Sequence, residues 1–194
     1  MLRITSNLYP RANSGAIFEN SIIVNIAGGL GNQLFQYAAG LALSVRNNLP
    51  LFLNLEFFEK SRDRKYELEQ LRITANILPS DQRIQIKYQP RRTRALRNAL
   101  AFLSRFRHVY YVHELSPGYD HRLLQLNGPV ILNGWFQSEK YFFGISDILK
   151  AEFQLKDAAG LEIHPFYRNM QYENAVSVHV RRGDYYSNPA YQKL

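Results

Sequence analysis

Short apolar runs alternate along the chain with stretches of helical spacing. The run Ser21-Ile-Ile-Val-Asn-Ile-Ala27 is nearly continuous in apolar residues, which is typical of a strand buried on both faces of a parallel sheet. After Gly28-Gly-Leu-Gly-Asn32 the period changes to that of a helix, which is predicted to close at Asn47-Asn48. Leu51-Phe-Leu-Asn-Leu55 predicts a second strand. This order forms a βαβ unit, whose loop lies at the carboxyl edge of the sheet, where ligands bind in α/β folds.

The rest of the pattern predicts further strands and helices of an α/β fold. The expected elements are strands at His108–Val112, Pro129–Asn133 and Ala175–Val180, a helix capped by Ser138 that runs to about Leu155, and a basic amphipathic helix at Arg91–Arg107. Residues 56–88 are mixed in character and predict helix and loop. Residues 1–20 predict an irregular segment, because they are polar and interrupted by Pro10 and Gly15.

Composition narrows the class of protein. A chain of 194 residues with 46% hydrophobic and 13% aromatic residues suits one ordered globular domain or slightly more, and excludes disorder. The absence of cysteine excludes disulfides, a thiolate nucleophile and cysteine-ligated metals. The first 21 residues lack the apolar core of a signal peptide, and no apolar stretch approaches the roughly 20 residues of a membrane span. We therefore expect a cytoplasmic protein, either soluble or peripheral on the inner face of the membrane.

The net charge of +8 has a local origin. The window from Gln82 to His113 holds eight bases and no acid, and the remaining chain holds 16 bases and 16 acids. The Arg91–Arg107 helix has three interpretations: a solvated face, adsorption to an anionic membrane surface, or binding of nucleic acid. The window matches no known nucleic-acid motif, so we expect no nucleic-acid partner.

The glycine loop fits neither of the two common nucleotide-binding motifs. In the dinucleotide fingerprint Leu34 would occupy the third glycine position, and no Lys-Ser or Lys-Thr follows as in a phosphate-binding loop. Two interpretations remain. The glycines either let backbone N–H groups approach an anion at the helix N-terminus, or serve only a tight turn between strand and helix.

A second basic motif, His179-Val-Arg-Arg-Gly-Asp184, follows the last predicted strand. Arginine binds phosphate oxygens bidentately, and Asp184 is placed to hold one guanidinium while the other binds a ligand. The alternative is a surface ion pair beside a core histidine. His108, His113 and His121 lack the spacing of metal ligands.

Three segments together resemble the family 11 glycosyltransferases, the α-1,2-fucosyltransferases. They are Gly28-Gly-Leu-Gly-Asn-Gln-Leu-Phe-Gln-Tyr-Ala38, Gly134-Trp-Phe-Gln-Ser-Glu-Lys-Tyr-Phe142 and Val178-His-Val-Arg-Arg-Gly-Asp-Tyr185. The resemblance implies a GT-B fold, with a Rossmann-like acceptor-side domain at 21–172 and the beginning of a donor domain at 173–194. Family members continue well beyond this point, so most of the donor domain is expected to be missing or supplied by another chain.

The resemblance also implies the reaction, which is inverting transfer of L-fucose from GDP-fucose to the 2-hydroxyl of a terminal galactose in a glycan. No Asp-x-Asp sequence is present, so the enzyme is expected to need neither metal nor other cofactor. Expected diphosphate-binding residues are Arg181, as the direct ligand, with Arg182, Gly29, Gly31 and Asn32.

Two further sets of candidates serve the acceptor. The proton of its hydroxyl is expected to pass to Asp184, His179 or Glu139, between which the sequence does not decide. Trp135, Gln137 and Glu139 are the acceptor-side candidates, although aromatic residues beside a helix start also suit a core. The alternative function is a non-catalytic basic module that binds anionic membrane or nucleic acid through Arg91–Arg107.

Overall fold

The structure is a computed structural model that describes residues 1–10, 17–82 and 106–157, together with residues 169, 170, 174, 176 and 178. The chain divides into two compact units, residues 1–156 and residues 157–194. Within the part of the chain that is described, no helix is long and apolar enough to cross a membrane.

The first unit is built on a six-stranded sheet. Its strands are β1 Leu2–Pro10, β2 Ile22–Asn25, β3 Leu51–Asn54, β4 Asn76–Ile77, β5 Phe106–Glu114 and β6 Val130–Asn133. The strand order is β1-β5-β6-β2-β3-β4, in which only the β1–β5 pair is antiparallel. The unit is therefore a mixed α/β fold with a mostly parallel sheet, consistent with a Rossmann-like fold.

The predicted βαβ unit is confirmed. Helix α1 spans Leu30–Asn47 between the parallel strands β2 and β3, and Asn48 ends it in the left-handed conformation at φ 50°. Gly40 of α1 packs directly on the sheet, because a Cβ at this position would overlap Val24 Cγ2 and lie 3.1 Å from Leu51 Cδ1. The helix can therefore approach the sheet closely enough to bury the apolar core between them.

The N-terminal segment differs from the prediction of an irregular region over residues 1–20. Residues 2–10 form β1, which pairs with β5 along its whole length, from Leu2 opposite Glu114 to Pro10 opposite Phe106. Leu2 is 2% exposed and Ile4 is packed against the core. The apolar–polar alternation from Leu2 to Thr5 is that of a strand, and the distant partner β5 stabilises it.

The basic helix was predicted to run from Arg91 to Arg107, but its last two residues belong to a strand. Residues 91–105 lie outside the described residues, but Phe106 and Arg107 belong to β5, where they pair with Pro10 and Tyr9. The prediction is wrong for these two residues because pairing with β1 extends the strand in the N-terminal direction. The strand predicted at 108–112 is confirmed and is longer than expected.

Residues 56–88 were predicted as helix and loop. In the described part of this range, up to residue 82, they form helix α2 at Glu56–Lys60, a 3-10 turn at Leu68–Gln70, the short strand β4 and loops. The helix predicted after Ser138 is broken into two 3-10 turns, Glu139–Tyr141 and Phe143–Ile145, and helix α3, Ser146–Glu152. Ser138 occupies the N-cap of the first turn, but its side chain makes no capping hydrogen bond.

A buried polar contact joins α1 to α3. The Tyr37 hydroxyl donates a hydrogen bond to Glu152 Oε2, and Thr74 Oγ1 donates to Glu152 Oε1 at 2.6 Å. Tyr37 is fully buried, and its burial and the Glu152 carboxylate raise the pKa of its phenol well above the usual range. Burial, with the nearby Glu69 carboxylate, raises the pKa of Tyr66 to about 12.

Of the second unit, the structure describes residues 157, 169, 170, 174, 176 and 178, all of which are exposed. Val176 and Val178 are 87% and 81% exposed and do not lie in a strand, contrary to the strand predicted at Ala175–Val180. A strand requires a paired neighbour, and the pairings of the described sheet involve β1 to β6 alone.

Candidate functional site

A cleft of about 480 Å³ opens at the carboxyl edge of the parallel strands, and we call it the sheet-edge cleft. Its lining residues come from the ends of β2, β3, β5 and β6 and from α1 and α2: Asn25, Ile26, Ala27, Gln36, Asn54, Glu56, Phe57, Lys60, His113, Glu114, Asn133, Gly134 and Trp135. Its volume lies within the roughly 300–1,000 Å³ that is usual for small-molecule sites. The position agrees with the general rule that open α/β sheets bind ligands at this edge.

Amide side chains form the floor of the cleft. Asn25, Asn54 and Asn133 are the last residues of three neighbouring strands, β2, β3 and β6. Asn54 Nδ2 donates to Asn25 Oδ1 at 2.8 Å, and Asn54 is only 8% exposed. On β5, His113 Nδ1 lies 2.8 Å from Asn133 Nδ2. The amide side chains of the floor carry groups that can both donate and accept hydrogen bonds.

The glycine loop lies beside this floor. Gly28 has a φ of 79°, and a Cβ there would lie 2.7 Å from Asn32 Nδ2 and 3.0 Å from Trp135 Cζ3, so only glycine fits. Gly29 is the N-cap of α1. A Cβ at Gly31 would meet no atom of the described residues within 4 Å.

The glycine loop contacts the turn after β6. Gln137 Nε2 donates to Asn32 Oδ1 at 2.7 Å, and the ring of Trp135 lies against Gly28. The first two of the three sequence motifs therefore meet at one side of the sheet-edge cleft, although about a hundred residues separate them in the chain.

Two buried glutamines on α1 hold the surrounding loops. Gln36 Oε1 accepts from Ala27 N at 2.9 Å, and Gln36 Nε2 donates to Gly134 O at 3.1 Å. Gln33 Nε2 donates to the carbonyl oxygens of Gly28 and Lys65, both at 2.9 Å. Since both glutamines are at most 1% exposed, their amides act as internal clamps and not as ligand contacts.

Gln33 also fixes a basic residue near the loop. Its Oε1 accepts from Glu67 N at 3.0 Å, which together with its bond to Lys65 O anchors the segment that carries Arg64. Arg64 Nη1 lies 3.8 Å from the position that a Cβ on Gly29 would take. A guanidinium is thus held at the N-terminal end of α1, where the helix dipole also favours an anion.

The carboxylate of Glu114 organises the Gly134–Phe136 turn. Glu114 Oε2 accepts from Trp135 N at 2.6 Å and from Phe136 N at 3.1 Å. Phe136 has a φ of 50° and is fully buried, and a Cβ on Gly134 would lie 2.5 Å from Glu114 Cβ. A positive φ at a bulky residue is strained, so the contacts to Glu114 and the burial of Phe136 hold a conformation that leaves Trp135 44% exposed in the cleft.

The structure places the sequence-predicted site residues in three groups. Trp135 lines the sheet-edge cleft, and Asn32 and Gln137 are bound to each other beside it, whereas Gly29 and Gly31 belong to the start of α1 and are not lining residues. Glu139 is exposed on its 3-10 turn and is not among the lining residues of this cleft. His179, Arg181, Arg182 and Asp184 lie outside the described residues, so their roles stay predictions.

Several residues of the site escaped the sequence analysis. They are Asn25, Asn54, Asn133, His113, Glu114, Arg64, Gln33 and Gln36. A signal for the three asparagines existed, because each ends an apolar run that predicts a buried strand. Among the residues that the structure describes, no group of three or more His, Cys, Asp or Glu side chains is arranged to hold a metal.

Comparison with known proteins gives consistent matches. Residues 8–194 match the model of the family described as glycosyl transferase family 11. The chain is 29% identical over 170 residues to an alpha-1,2-colitosyltransferase of Escherichia coli, covering 86% of this chain and 56% of that protein. It is 28% identical over 185 residues to the O-antigen biosynthesis glycosyltransferase WbnK of Escherichia coli, covering 87% and 61%. The chain thus spans little more than half the length of these relatives, and no solved structure matches it.

Proposed function

Because this chain belongs to glycosyltransferase family 11, we propose that it is a galactoside α-1,2-fucosyltransferase, or the acceptor-side part of one. Membership makes it a glycosyltransferase, which in general uses a nucleotide-sugar donor and a glycan acceptor. The proposed reaction transfers L-fucose from GDP-fucose to the 2-hydroxyl of a terminal galactose with inversion. The proposal needs no metal and no further cofactor.

One observation carries the proposal: the first two family motifs form one side of the sheet-edge cleft. Asn32 of the first motif is bound to Gln137 of the second, and Gln36 is bound to Gly134. If the two motifs served only as separate turns, hydrogen bonds between them would not be expected. Hydrogen bonds between the motifs are expected if both support one ligand site.

The donor is the point on which the relatives bear most directly. One of them is named as an alpha-1,2-colitosyltransferase, which supports a 1,2 linkage at a level of 29% identity. Colitose is the 3-deoxy form of L-fucose, so both sugars are 6-deoxy-L-hexoses. GDP-colitose is therefore the alternative donor to test beside GDP-fucose.

The chemistry requires stabilisation of two developing charges. As the bond to the leaving group breaks, negative charge grows on GDP and positive character grows on the sugar ring. We assign the diphosphate to Arg181 and Arg182. Within the first unit, the backbone N–H groups of Gly29 to Asn32 and the nearby Arg64 are candidate donors to a phosphate. In a GT-B arrangement the donor domain begins in the second unit. The general base remains one of Asp184, His179 and Glu139.

The alternative of a basic module draws no support from the described residues, and a peripheral position on an anionic membrane stays a prediction. The three motifs that carry the resemblance lie outside the basic window at 82–113.

The test is a transfer assay with labelled donor. We expect the intact gene product that contains this chain to release GDP and to transfer labelled fucose from GDP-fucose to lactose. GDP-colitose serves as a second donor, and EDTA tests metal dependence. Arg181→Ala should abolish donor binding, whereas Arg46→Ala, at the exposed C-terminal end of α1, should not change it. Absence of both transfer and GDP binding over a panel of galactosides would overturn the proposal.

A further inference from the structure

We infer that the sheet-edge cleft is a subsite for an uncharged pyranose ring, with Trp135 as its stacking face and Glu114 as the residue that positions Trp135. The inference deepens the proposed function and rests on it for the identity of the sugar as a galactoside. It adds that an acidic sugar is rejected at this position.

The polar groups of the cleft floor suit sugar hydroxyls. Each hydroxyl both donates and accepts hydrogen bonds, and the amides of Asn25 and Asn133 offer both kinds of group at the ends of the adjacent strands β2 and β6. The bond from Asn54 to Asn25 at 2.8 Å fixes the orientation of the Asn25 amide. A floor of pre-oriented, neutral hydrogen-bonding groups is suited to a ring whose hydroxyl positions must be distinguished.

The aromatic wall suits the other face of a pyranose. Sugar rings present C–H groups that pack on aromatic surfaces, and Trp135 lies beside the floor with nearly half of its surface exposed. An exposed tryptophan is common on surfaces, but here the strained Phe136, the close approach of Gly134 and the two bonds to Glu114 all fix the turn that presents it. Such a rigid support is expected for a residue that binds a ligand.

The charge of the described lining disfavours an anion. Among the described residues, the cleft is lined by two carboxylates, Glu56 and Glu114, and by one ammonium, Lys60, whose Nζ lies 2.7 Å from Glu56 Oε1. The negative potential that remains raises the energy of a phosphate or a carboxylate in the cleft. Arg64, which lies beside the glycine loop, is not among the described lining residues of the cleft.

The experiment uses Trp135 fluorescence, because Trp135 is the single tryptophan of the chain. Methyl β-galactoside should change its emission saturably, whereas galacturonate, which has the same ring with a carboxylate, and inorganic pyrophosphate should need at least tenfold higher concentrations. Equal responses to the galactoside and galacturonate, or no response to the galactoside, would overturn the inference.

Two variants test the roles of the residues. Glu114→Gln keeps the shape of the side chain but removes the charge from both hydrogen bonds, and should weaken galactoside binding by about tenfold. Glu69→Gln, on an exposed glutamate of the 3-10 turn, is the matched control and should have no effect. If Glu114→Gln does not fold, Asn133→Ala, at an exposed position on the floor, should also weaken binding by about tenfold; an unchanged affinity there contradicts the inference.

The titration separates this inference from the proposed function. Transfer of the sugar without any response of Trp135 to the galactoside refutes the subsite and leaves the transferase intact. A saturable and charge-selective response without transfer supports the subsite and counts against the transferase.

Discussion

The side-chain amide of Gln36 donates a hydrogen bond to the carbonyl oxygen of Gly134 at 3.1 Å, across 98 positions of sequence. The same amide accepts from the N–H of Ala27 at 2.9 Å. A single buried side chain thereby ties the end of β2 to the turn after β6. The shape of the sheet-edge cleft depends on this bond, because Gly134 precedes the tryptophan that forms the cleft wall.

Replacement of this amide should destabilise the fold. Gln36→Met keeps the approximate volume but leaves Ala27 N–H and Gly134 C=O without their partner, and each unsatisfied buried group costs about 1–3 kcal/mol. We expect the free energy of unfolding, measured with urea, to fall by about 2–4 kcal/mol. Gln125→Met at an exposed position should change it by less than about 0.5 kcal/mol. A small loss in Gln36→Met would show that the clamp contributes little.

Gly40 should not tolerate alanine. On an exposed helix this change stabilises by roughly 0.5–1 kcal/mol, but here the added methyl overlaps Val24. We expect Gly40→Ala to lower the free energy of unfolding by about 1–3 kcal/mol, because overpacking displaces α1 from the sheet. Gly40→Ala should lower the free energy of unfolding by less in a Val24→Ala background than in the wild type, because the shorter side chain leaves room for the added methyl. Strict additivity of the two losses in this double-mutant cycle would contradict the contact.

Gly31→Ala tests whether the glycine at position 31 is needed for stability or for ligand binding. No atom of the described residues lies within 4 Å of the added Cβ, so thermal stability should be unchanged or slightly higher. If the loop approaches the donor through backbone N–H groups, the methyl should weaken GDP binding by about tenfold or more, as measured by calorimetry. Gly144→Ala, where a Cβ also meets nothing within 4 Å, is the control and should bind GDP normally. Normal GDP affinity in Gly31→Ala would mean that the loop is only a turn.

Stability should fall at alkaline pH. Because the folded-state pKa of Tyr66 is raised to about 12, the folded state holds this proton more tightly than the unfolded state. The contribution of Tyr66 to the free energy of unfolding is fully present below a pH of about 10 and is lost as the pH rises through about 12. Tyr66→Phe should therefore reduce the loss of unfolding free energy between pH 9 and 11.5 by about 1 kcal/mol, a value that already allows for solvent screening.

Tyr119→Phe is the control for the alkaline series, because Tyr119 is 40% exposed. Denaturant titrations at several pH values give the comparison. If the slopes of wild type and Tyr66→Phe coincide over this range, another group controls the alkaline transition.

The parts of the fold with a local cause were predictable. The run at Ile22–Asn25, the helical spacing after Gly28 and the run at Leu51–Asn54 each carry their own signal, and the βαβ unit follows from them. β1 was missed because its stability comes from β5, about a hundred residues away. A pattern that needs a distant partner is weak evidence until that partner is placed.

The site was predictable only in outline. The glycines and Trp135 stand out as residue types, but Asn25, Asn54 and Asn133 acquire their common role only when the order of the strands is known. Gln33 and Gln36 were hidden for another reason. On a helix face a glutamine predicts exposure to solvent, and only the fold shows that backbone groups of neighbouring loops satisfy these two amides.

The pairing of β1 with β5 also bears on how the protein must be produced. β5 is a nine-residue strand, and β1 covers its outer edge along the entire length. Trimming the first ten residues as a dispensable tail would remove the whole antiparallel partner of β5 and the buried side chain of Leu2. The first ten residues are therefore part of the folded sheet, and a truncated form should be less stable than the full chain before its chemistry is measured.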